Sequence, residues 1–208
     1  MKAYGMSIKG EDHEENEDAF LVDEKLMLFA VADGVSIPRG GGKAAKLAIK
    51  LLREFFAEEQ DLEKACLLVN AKICEERIKG LCGFTTLTAV HIANSKANIC
   101  SVGDSPAFLI RGKSILLLTE SDRLIGSSLT QAIGEEFIEV HSSSFECKGG
   151  DILLLMTDGV ADLLSPEEIF EIATHEKTPK EICENILKAC ERKRQIYNDD
   201  KTIVCVVI

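Results

Sequence analysis

Three apolar runs that each adjoin aspartate residues constrain the fold of this chain more than any other feature. Residues 26–32 precede Asp33, residues 152–157 precede Asp158, and residues 202–208 follow Asp199 and Asp200. Nearly uninterrupted apolar runs of this length are typical of buried β-strands. Carboxylates gathered at the ends of such strands repel one another unless a cation lies between them, and Mg²⁺ and Mn²⁺ favour oxygen ligands. The pattern therefore predicts a divalent metal centre.

The size and charge of the chain limit the number of domains it can form and the classes of partner it can bind. With 208 residues, of which 46% are hydrophobic, the chain can bury one sizeable core, and no linker-like stretch divides it. A single domain spanning residues 1–208 is expected. A formal net charge of -11 and a pI near 4.9 oppose binding to nucleic acid or to an anionic membrane, whose phosphates would be repelled. A phosphorylated protein would have to be attracted locally, by metal.

The sequence lacks the patterns of a membrane anchor or a secretion signal. The longest apolar runs have the length of strands, and residues 1–10 lack the apolar core of a signal peptide. Eight cysteines are scattered without a Cys-x-x-Cys pair, which disfavours a zinc site or a redox dithiol. Their apolar neighbours favour buried thiols. A cytoplasmic protein is expected.

The hydrophobic periodicity changes along the chain. Residues 44–56 and 62–73 repeat apolar positions at helical spacing, and Asp61 is the predicted N-cap of the second helix. Residues 84–156 alternate or form short apolar runs with short connections, which predicts strands joined by hairpins. Two later helices are predicted to begin at capping boxes, Ser165 with Glu168 and Thr178 with Glu181. This order favours an α+β fold with helices layered over antiparallel sheets.

A predicted hairpin brings an acidic loop towards one of the aspartates. Residues 19–22 and 26–32 are separated by three residues and are predicted to form neighbouring antiparallel strands. Glu17, before the first strand, then falls at the same end as Asp33, after the second. An acidic run is commonly only a solvated turn, but this geometry lets the loop face Asp33.

Six short motifs follow one another along nearly the whole chain. They are Asn16-Glu17-Asp18, Ala32-Asp33-Gly34, Thr85-Thr86-Leu87, Val102-Gly103-Asp104-Ser105, Thr157-Asp158-Gly159 and Asp199-Asp200-Lys201-Thr202. Their order and spacing resemble those of the metal-dependent protein phosphatases of the protein phosphatase 2C type, in a small, prokaryotic-like form. The resemblance implies the four-layer α-β-β-α sandwich of that family, in which two mostly antiparallel sheets pack face to face between helices. It also implies two Mn²⁺ or Mg²⁺ ions at one end of the sandwich.

The resemblance implies a role for each residue that matches a motif. Asp33 corresponds to the carboxylate that bridges both metals, and the backbone carbonyl of Gly34 corresponds to a ligand of the second metal. Asp158 and Asp199 match ligands of the first metal. The implied catalytic residues are thus Asp33, Asp158 and Asp199.

Further matches lie around this ligand set. Glu17 matches a residue that holds the second metal through water, and Asp18 resembles its supporting neighbour. Asp162, four residues after Asp158, resembles a ligand of a weaker third ion. The arginine with which the family grips the substrate phosphate corresponds to His13, which makes His13 a candidate substrate-binding residue. A solvent-facing histidine in an acidic turn is the other interpretation, and both stay open.

The segment beside the expected site also departs from the family. Residues 118–134 leave little room for the usual flap, so a reduced flap is expected, and Asp122 is only a shifted candidate for a third-metal ligand. Phe84 stands where glycine usually precedes the threonine pair, and Pro106 stands where arginine usually follows Gly-Asp-Ser. These departures bear mainly on substrate selection.

The implied reaction is direct hydrolysis of phosphoserine or phosphothreonine in proteins. Water held between two cations attacks phosphorus, while the metals neutralise the developing charge. No cysteine is followed by arginine six positions later and no Asp-x-Asp occurs, so the cysteine-dependent and aspartyl-phosphate routes lack support. The expected partners are phosphorylated protein substrates, with a serine/threonine kinase as a further candidate, and neither nucleic acid nor membrane.

Two interpretations from other classes stay open. Because the phosphate-gripping arginine is missing, the chain could be a catalytically weak module that binds phosphoproteins or a kinase in a regulatory role. It could also be a structural metal-binding domain. Retention of Asp33, Asp158 and Asp199 argues against both.

Overall fold

Two five-stranded antiparallel sheets form the centre of the fold in a computed structural model, which describes residues 1–124, 128–193 and 196–208. The first sheet has the order β1 (Lys2–Ile8), β10 (Lys201–Val207), β9 (Ile152–Met156), β6 (Ala107–Arg111) and β7 (Ser114–Leu117). The second has the order β2 (Ala19–Asp23), β3 (Leu28–Ala32), β4 (Leu87–Ala93), β5 (Lys96–Val102) and β8 (His141–Glu146). The predicted hairpin of β2 and β3 is confirmed.

Helices cover the outer face of each sheet. They are α1 (Gly41–Glu59) and α2 (Leu62–Ile78) on the second sheet, α4 (Pro166–His175) and α5 (Pro179–Glu191) on the first, and the single turn α3 (Asp158–Ala161) after β9. One cluster of buried side chains joins α1 and α2 to β3, β4 and β5, and another joins α4 and α5 to β6, β9 and β10. A third cluster lies between the sheets. The predicted α-β-β-α sandwich is confirmed.

Strand β3 shows why its sequence is apolar throughout. Leu28 and Ala30 belong to the cluster under the helices, whereas Phe29 and Val31 belong to the cluster between the sheets. A strand buried on both faces cannot alternate apolar with polar residues. Full burial of a side chain such as Phe29 contributes about 1.5–3 kcal/mol. The strand that precedes Asp33 is therefore firmly held.

The structure differs from the sequence prediction mainly at the ends of elements. Helix α1 begins at Gly41, three residues before the helical pattern that starts at residue 44. Within residues 84–156, where strands are predicted, β8 begins only at His141, and the side chain of Phe137 before it is 82% exposed. The turn α3 escapes sequence prediction because four residues are too few to show helical periodicity.

The segment predicted to form a reduced flap, residues 118–134, is described except for residues 125–127. Its described part contains neither helix nor strand, and an isolated bridge pairs Arg123 with Leu129. Another bridge joins Ile133 to Thr85, beside β4. The segment is thus fastened to the sheet that carries Asp33.

The predicted helix caps and cysteine environments are largely as expected. Asp61 caps α2, Ser165 and Glu168 form a complete capping box, and Thr178 caps α5. None of the eight cysteines, all in the described residues, forms a disulfide, and five are buried. Across the three described ranges, every helix is too short or too polar to cross a lipid bilayer.

Candidate metal centre

Three aspartates meet at one edge of the sandwich. Asp33 follows β3, Asp158 follows β9 and Asp199 precedes β10. Because β9 and β10 are antiparallel neighbours, with Met156 opposite Ile203, the end of β9 adjoins the start of β10. Asp33, Asp158 and Asp199 all line one cavity of about 580 Å³. The structure thus brings together the aspartates that end the three apolar runs.

Two close backbone approaches build this edge. A side chain at Gly159 would place its Cβ 1.9 Å from the carbonyl oxygen of Asp200, and a side chain at Gly34 would place its Cβ 2.3 Å from the carbonyl carbon of Gly41. No side chain larger than hydrogen fits at such distances. The Asp-Gly pairs therefore let each aspartate turn pack directly on a neighbouring segment.

The backbone of Asp33 is held by the threonine pair. Its N–H donates to Oγ1 of Thr86 at 3.0 Å, and its carbonyl accepts from the N–H of Thr86 and from Oγ1 of Thr85, each at 2.8 Å. Oγ1 of Thr86 also lies 2.7 Å from Oγ of Ser105. Two motifs with no assigned role in the sequence thus hold the backbone of the residue predicted to bridge the metals.

The electrostatics of Asp33 indicate an excess of negative charge around its carboxylate. Burial raises the pKa of Asp33 well above its usual value, and the charges of Asp18, Asp158 and Asp199 raise it further. Mutual repulsion among buried carboxylates is relieved by protonation or by a cation. A divalent cation bound between these carboxylates would relieve their repulsion.

Asp18 supports the centre from the second sheet. Its carboxylate is buried and accepts a hydrogen bond of 2.9 Å from Oγ1 of Thr157. The pKa of Asp18 is raised to about 7, because burial and the charges of Asp200 and Asp158 outweigh the hydrogen bonds from Thr202 and Thr157, which lower it. Asp18 therefore lies within electrostatic range of the predicted ligands.

Asp200 organises the N-terminal loop. Its buried carboxylate accepts hydrogen bonds of 2.7 Å from the N–H groups of Gly10 and Glu17, and its Oδ2 lies 2.7 Å from Nδ1 of His13. By contrast, Asp199 reaches the cavity, and burial together with the charge of Asp158 raises its pKa. The two adjacent aspartates therefore have different roles, since Asp200 holds the N-terminal loop and Asp199 reaches the cavity. The sequence alone does not distinguish these roles.

His13 is packed into the edge of the site. Its side chain is 10% exposed, Nδ1 pairs with Asp200, and Nε2 contacts the hydroxyl of Tyr197 and lies 3.5 Å from Oδ1 of Asp199. Burial by itself would lower the pKa of His13, but the hydrogen bond and charge of Asp200, with Asp199 and Glu17, outweigh it and raise the pKa. His13 is therefore a protonatable group beside the predicted ligands.

Glu17 and Gly34 are adjacent, as the hairpin predicts. The N–H of Gly34 donates to the carbonyl of Glu17 at 3.2 Å, and Oγ of Ser36 donates to Oε2 of Glu17 at 2.6 Å. The carboxylate of Glu17 thus points towards the segment that follows Asp33.

The motifs imply no role for two charged residues of the site, Arg123 and Asp104. Arg123 contacts both carboxylate oxygens of Asp162 at 2.8 and 3.1 Å and lies 3.5 Å from Oδ2 of Asp104. The pKa of Asp104 is raised to about 6, because burial and the charge of Asp158 outweigh the opposing charge of Arg123. Asp104 lies in a recognised motif and could have been found there. Arg123 lies in a segment without periodicity, so no local signal marks it.

The remaining candidates for metal ligands are engaged in hydrogen bonds. Asp122 accepts from the N–H of Gly103 and from Nε2 of Gln131, each at 2.8 Å, and its Oδ1 lies 2.8 Å from Nε2 of His141. Among the described residues, atoms of His13, Asp199 and Asp200 lie within 4.8 Å of one another. Because Asp200 is already bonded to protein donors, Asp33, Asp158 and Asp199 stay the candidate metal ligands. Their hard oxygen atoms suit Mn²⁺ or Mg²⁺.

Comparison with known proteins agrees with this geometry. The sequence profile of the family described as Stage II sporulation protein E (SpoIIE) matches residues 23–208. The serine/threonine phosphatase stp of Listeria innocua is 28% identical over 202 residues, covering 81% of this chain and 80% of that protein.

Solved structures share the fold over almost their whole length. The PPM Ser-Thr phosphatase MsPP from Mycobacterium smegmatis, in complex with cacodylate, has a TM-score of 0.88 and 25% identity, covering 100% of this chain and 98% of that one. The catalytic domain of the serine/threonine protein phosphatase PstP, in complex with two manganese ions, has a TM-score of 0.86 and 23% identity, covering 98% and 96%. The profile match spans most of the residues, and the chain therefore belongs to the Stage II sporulation protein E (SpoIIE) family of protein phosphatase 2C-type proteins.

Proposed function

We propose that this chain is a metal-dependent phosphatase that hydrolyses phosphoserine and phosphothreonine in proteins. The observation that carries the proposal is the meeting of Asp33, Asp158 and Asp199 in one cavity. The family and the named serine/threonine phosphatases among its relatives support the same reaction. Their support extends beyond the residues of the cavity, because the family profile matches residues 23–208.

Different residues of the chain would bind the metal ions and position the ligands. Asp33, Asp158, Asp199 and the carbonyl of Gly34 would hold two Mn²⁺ or Mg²⁺ ions, with Glu17 and Asp18 in support. When bound, such ions supply an activated water nucleophile and neutralise the charge that develops on the phosphoryl group. Thr86 keeps Asp33 oriented through its hydrogen bonds, so the ligand needs little rearrangement.

The cavity also offers a surface for a peptide. Its wall beside the carboxylates contains the apolar residues Val35, Ile37, Pro38, Phe84 and Leu129. The side chain of Ile37 is 88% exposed, so it is available to a ligand. Residues that flank a phosphorylated serine or threonine would pack on this wall, which supports phosphoproteins as the substrate class.

His13 stays a proposed substrate-binding residue. Its raised pKa, to which Asp200 contributes most among the groups that raise it, favours the imidazolium that a phosphate dianion requires. A serine/threonine kinase is the proposed partner enzyme, because only a kinase supplies these phosphoesters. A cytoplasmic location and a single domain are also proposed, and the absence of disulfides among eight cysteines supports that compartment.

A second candidate function is a regulatory module that binds phosphoproteins without hydrolysing them. The observation that favours it is His13, at the position where the family resemblance implies an arginine. The side chain of His13 is largely enclosed by protein groups, which limits its reach to a ligand.

One experiment separates these functions. Hydrolysis of a phosphoserine peptide and of p-nitrophenyl phosphate is measured with Mn²⁺, with Mg²⁺ and with chelator. We expect turnover with either metal and none with chelator. Phosphopeptide binding without turnover in any metal would favour the module, and a strong preference for a nucleotide would contradict the proposed substrate class.

A further inference from the structure

The side chain of Arg123 lies among three carboxylates beside the candidate metal centre. Its Nη1 is 2.8 Å from Oδ2 of Asp162 and 3.8 Å from Oδ2 of Asp158, and its Nε is 3.5 Å from Oδ2 of Asp104. The side chain of Arg123 is 25% exposed. It therefore lies beside two residues that line the cavity, Asp104 and Asp158, and Asp158 is a predicted ligand.

The backbone around Arg123 is fixed to the loop that carries Asp104. The N–H of Asp122 donates to the carbonyl of Gly103 at 3.0 Å, and the carboxylate of Asp122 accepts from the N–H of Gly103 at 2.8 Å. On the other side, the N–H of Leu124 donates to the carbonyl of Ser128 at 2.9 Å. The hydrogen bonds of Asp122 and Leu124 thus fix the backbone on both sides of Arg123, with its side chain beside these carboxylates.

The position of the guanidinium conflicts with a third metal ion. A cation bound by Asp158 and Asp162 would need oxygen distances of about 2.0–2.6 Å. Nη1 of Arg123 already contacts both oxygens of Asp162 and faces Asp158. An arginine side chain stays charged at every working pH, so it neutralises these carboxylates without a metal.

We infer that Arg123 acts as a protein-borne cation in place of a third metal ion at Asp162. The centre then holds two divalent ions, and Asp162 serves as the partner of Arg123. This inference rests on the proposed function, since it concerns the same site. Arg123 is a positioning residue here, because it acts on Asp104, Asp158 and Asp162.

The test counts bound ions without measuring activity. Mn²⁺ is titrated into the wild type and into Arg123→Gln, with calorimetry for affinity and electron paramagnetic resonance of free Mn²⁺ for stoichiometry. We expect two ions in the wild type and a third, weaker ion in Arg123→Gln. The affinities of the two tighter sites should change by no more than about fivefold, which is the effect expected from the loss of an exposed ion pair.

Three further variants sharpen the test. Arg123→Lys keeps a positive charge and should still bind two ions, and the double variant Arg123→Gln with Asp162→Asn should lose the third ion again. Arg53→Gln is the matched control, because Arg53 pairs with Asp23 at 2.7 Å, away from the residues that line the cavity. It should bind two ions with unchanged affinity.

The outcomes distinguish this inference from the proposed function. Three ions in the wild type, or two in a folded Arg123→Gln, would overturn the role of Arg123 while leaving the phosphatase intact. A wild type that binds no Mn²⁺ would overturn both. If Arg123→Gln does not fold, the number of ions bound by the wild type and by Arg123→Lys still tests the inference. Three ions in either protein would overturn it.

Discussion

Oγ1 of Thr157, at the end of β9, donates a hydrogen bond of 2.9 Å to Oδ2 of Asp18, which precedes β2 in the other sheet. The same hydroxyl oxygen accepts from the N–H of Thr202 at 3.0 Å. One threonine therefore joins three strands and both sheets at the edge where the aspartates meet. Both partners are buried, so neither can exchange this bond for water.

Replacement of Thr157 by valine should destabilise the fold. Thr157→Val keeps the shape of the side chain but leaves the buried Asp18 carboxylate and the N–H of Thr202 without this partner. Asp18 keeps its hydrogen bond from Thr202, but the buried N–H of Thr202 becomes unsatisfied, which costs about 1–3 kcal/mol. Guanidinium unfolding would measure the loss. Thr174→Val, at an exposed helix position, should change stability by no more than about 0.5 kcal/mol, and equal losses in the two variants would contradict the assignment.

The stability of the metal-free protein should depend on Asp18 between pH 4 and 7. The pKa of Asp18 is about 7 in the folded protein against an ordinary value of 3.8, so the folded state binds more protons in this window. The free energy of unfolding therefore falls as pH rises from about 4 to about 7. The share of Asp18 is on the order of 4 kcal/mol.

The measurement is the free energy of unfolding against pH in chelator, for the wild type and for Asp18→Asn. The difference between the two curves should change across this window, because asparagine does not titrate. Mn²⁺ should restore stability to the wild type near pH 7. Parallel curves would show that the carboxyl of Asp18 titrates at an ordinary pKa.

Removal of one predicted ligand should abolish hydrolysis. Asp158→Asn preserves size but removes the charge that holds the cation, which should weaken metal binding by at least about tenfold. Turnover of phosphopeptide with Mn²⁺ is the measurement, with circular dichroism to verify folding. Asp61→Asn is the matched control, since asparagine is an equally good N-cap for α2. Near-normal turnover in Asp158→Asn at modest Mn²⁺ would refute the ligand assignment.

A methyl group at position 159 should disturb the site through the backbone. The Cβ of Gly159→Ala would lie 1.9 Å from the carbonyl oxygen of Asp200, so the start of β10 must shift. Overpacking of this kind costs about 1–3 kcal/mol, and we expect Mn²⁺ affinity to fall with stability. Gly149→Ala is the control, because nothing lies within 4 Å of its Cβ. If both variants bind Mn²⁺ like the wild type, the close approach has no role in the site.

The role of His13 should appear in the pH dependence of KM. The pKa of His13 is raised, chiefly by the hydrogen bond and charge of Asp200 acting against burial, so its positive charge persists above pH 6.5 and is lost as pH rises through the shifted value. KM for a phosphopeptide at saturating Mn²⁺ should therefore rise with pH in the wild type. In His13→Gln, KM should be high at every pH, because glutamine does not titrate. Parallel profiles would mean that His13 only anchors the loop.

The sequence by itself determined the strands that carry Asp33 and Asp158, the two helix layers and the order of the motifs. These features depend on local periodicity, because a strand buried on both faces must be apolar and a helix must be capped within a few residues of its start. The metal-binding end of the sandwich follows from the repetition of a single pattern, an apolar run beside an aspartate.

Only the tertiary structure decided which of the acidic residues serve the site and which hold it together. Asp200 accepts hydrogen bonds from Gly10 and Glu17 and pairs with His13, all in the N-terminal loop. Arg123 forms ion pairs with Asp104 and Asp162. These contacts link residues distant in the sequence, so no periodicity records them. Their geometry follows from how the two sheets pack, because that packing sets which strand ends face one another and which carboxylates share a partner.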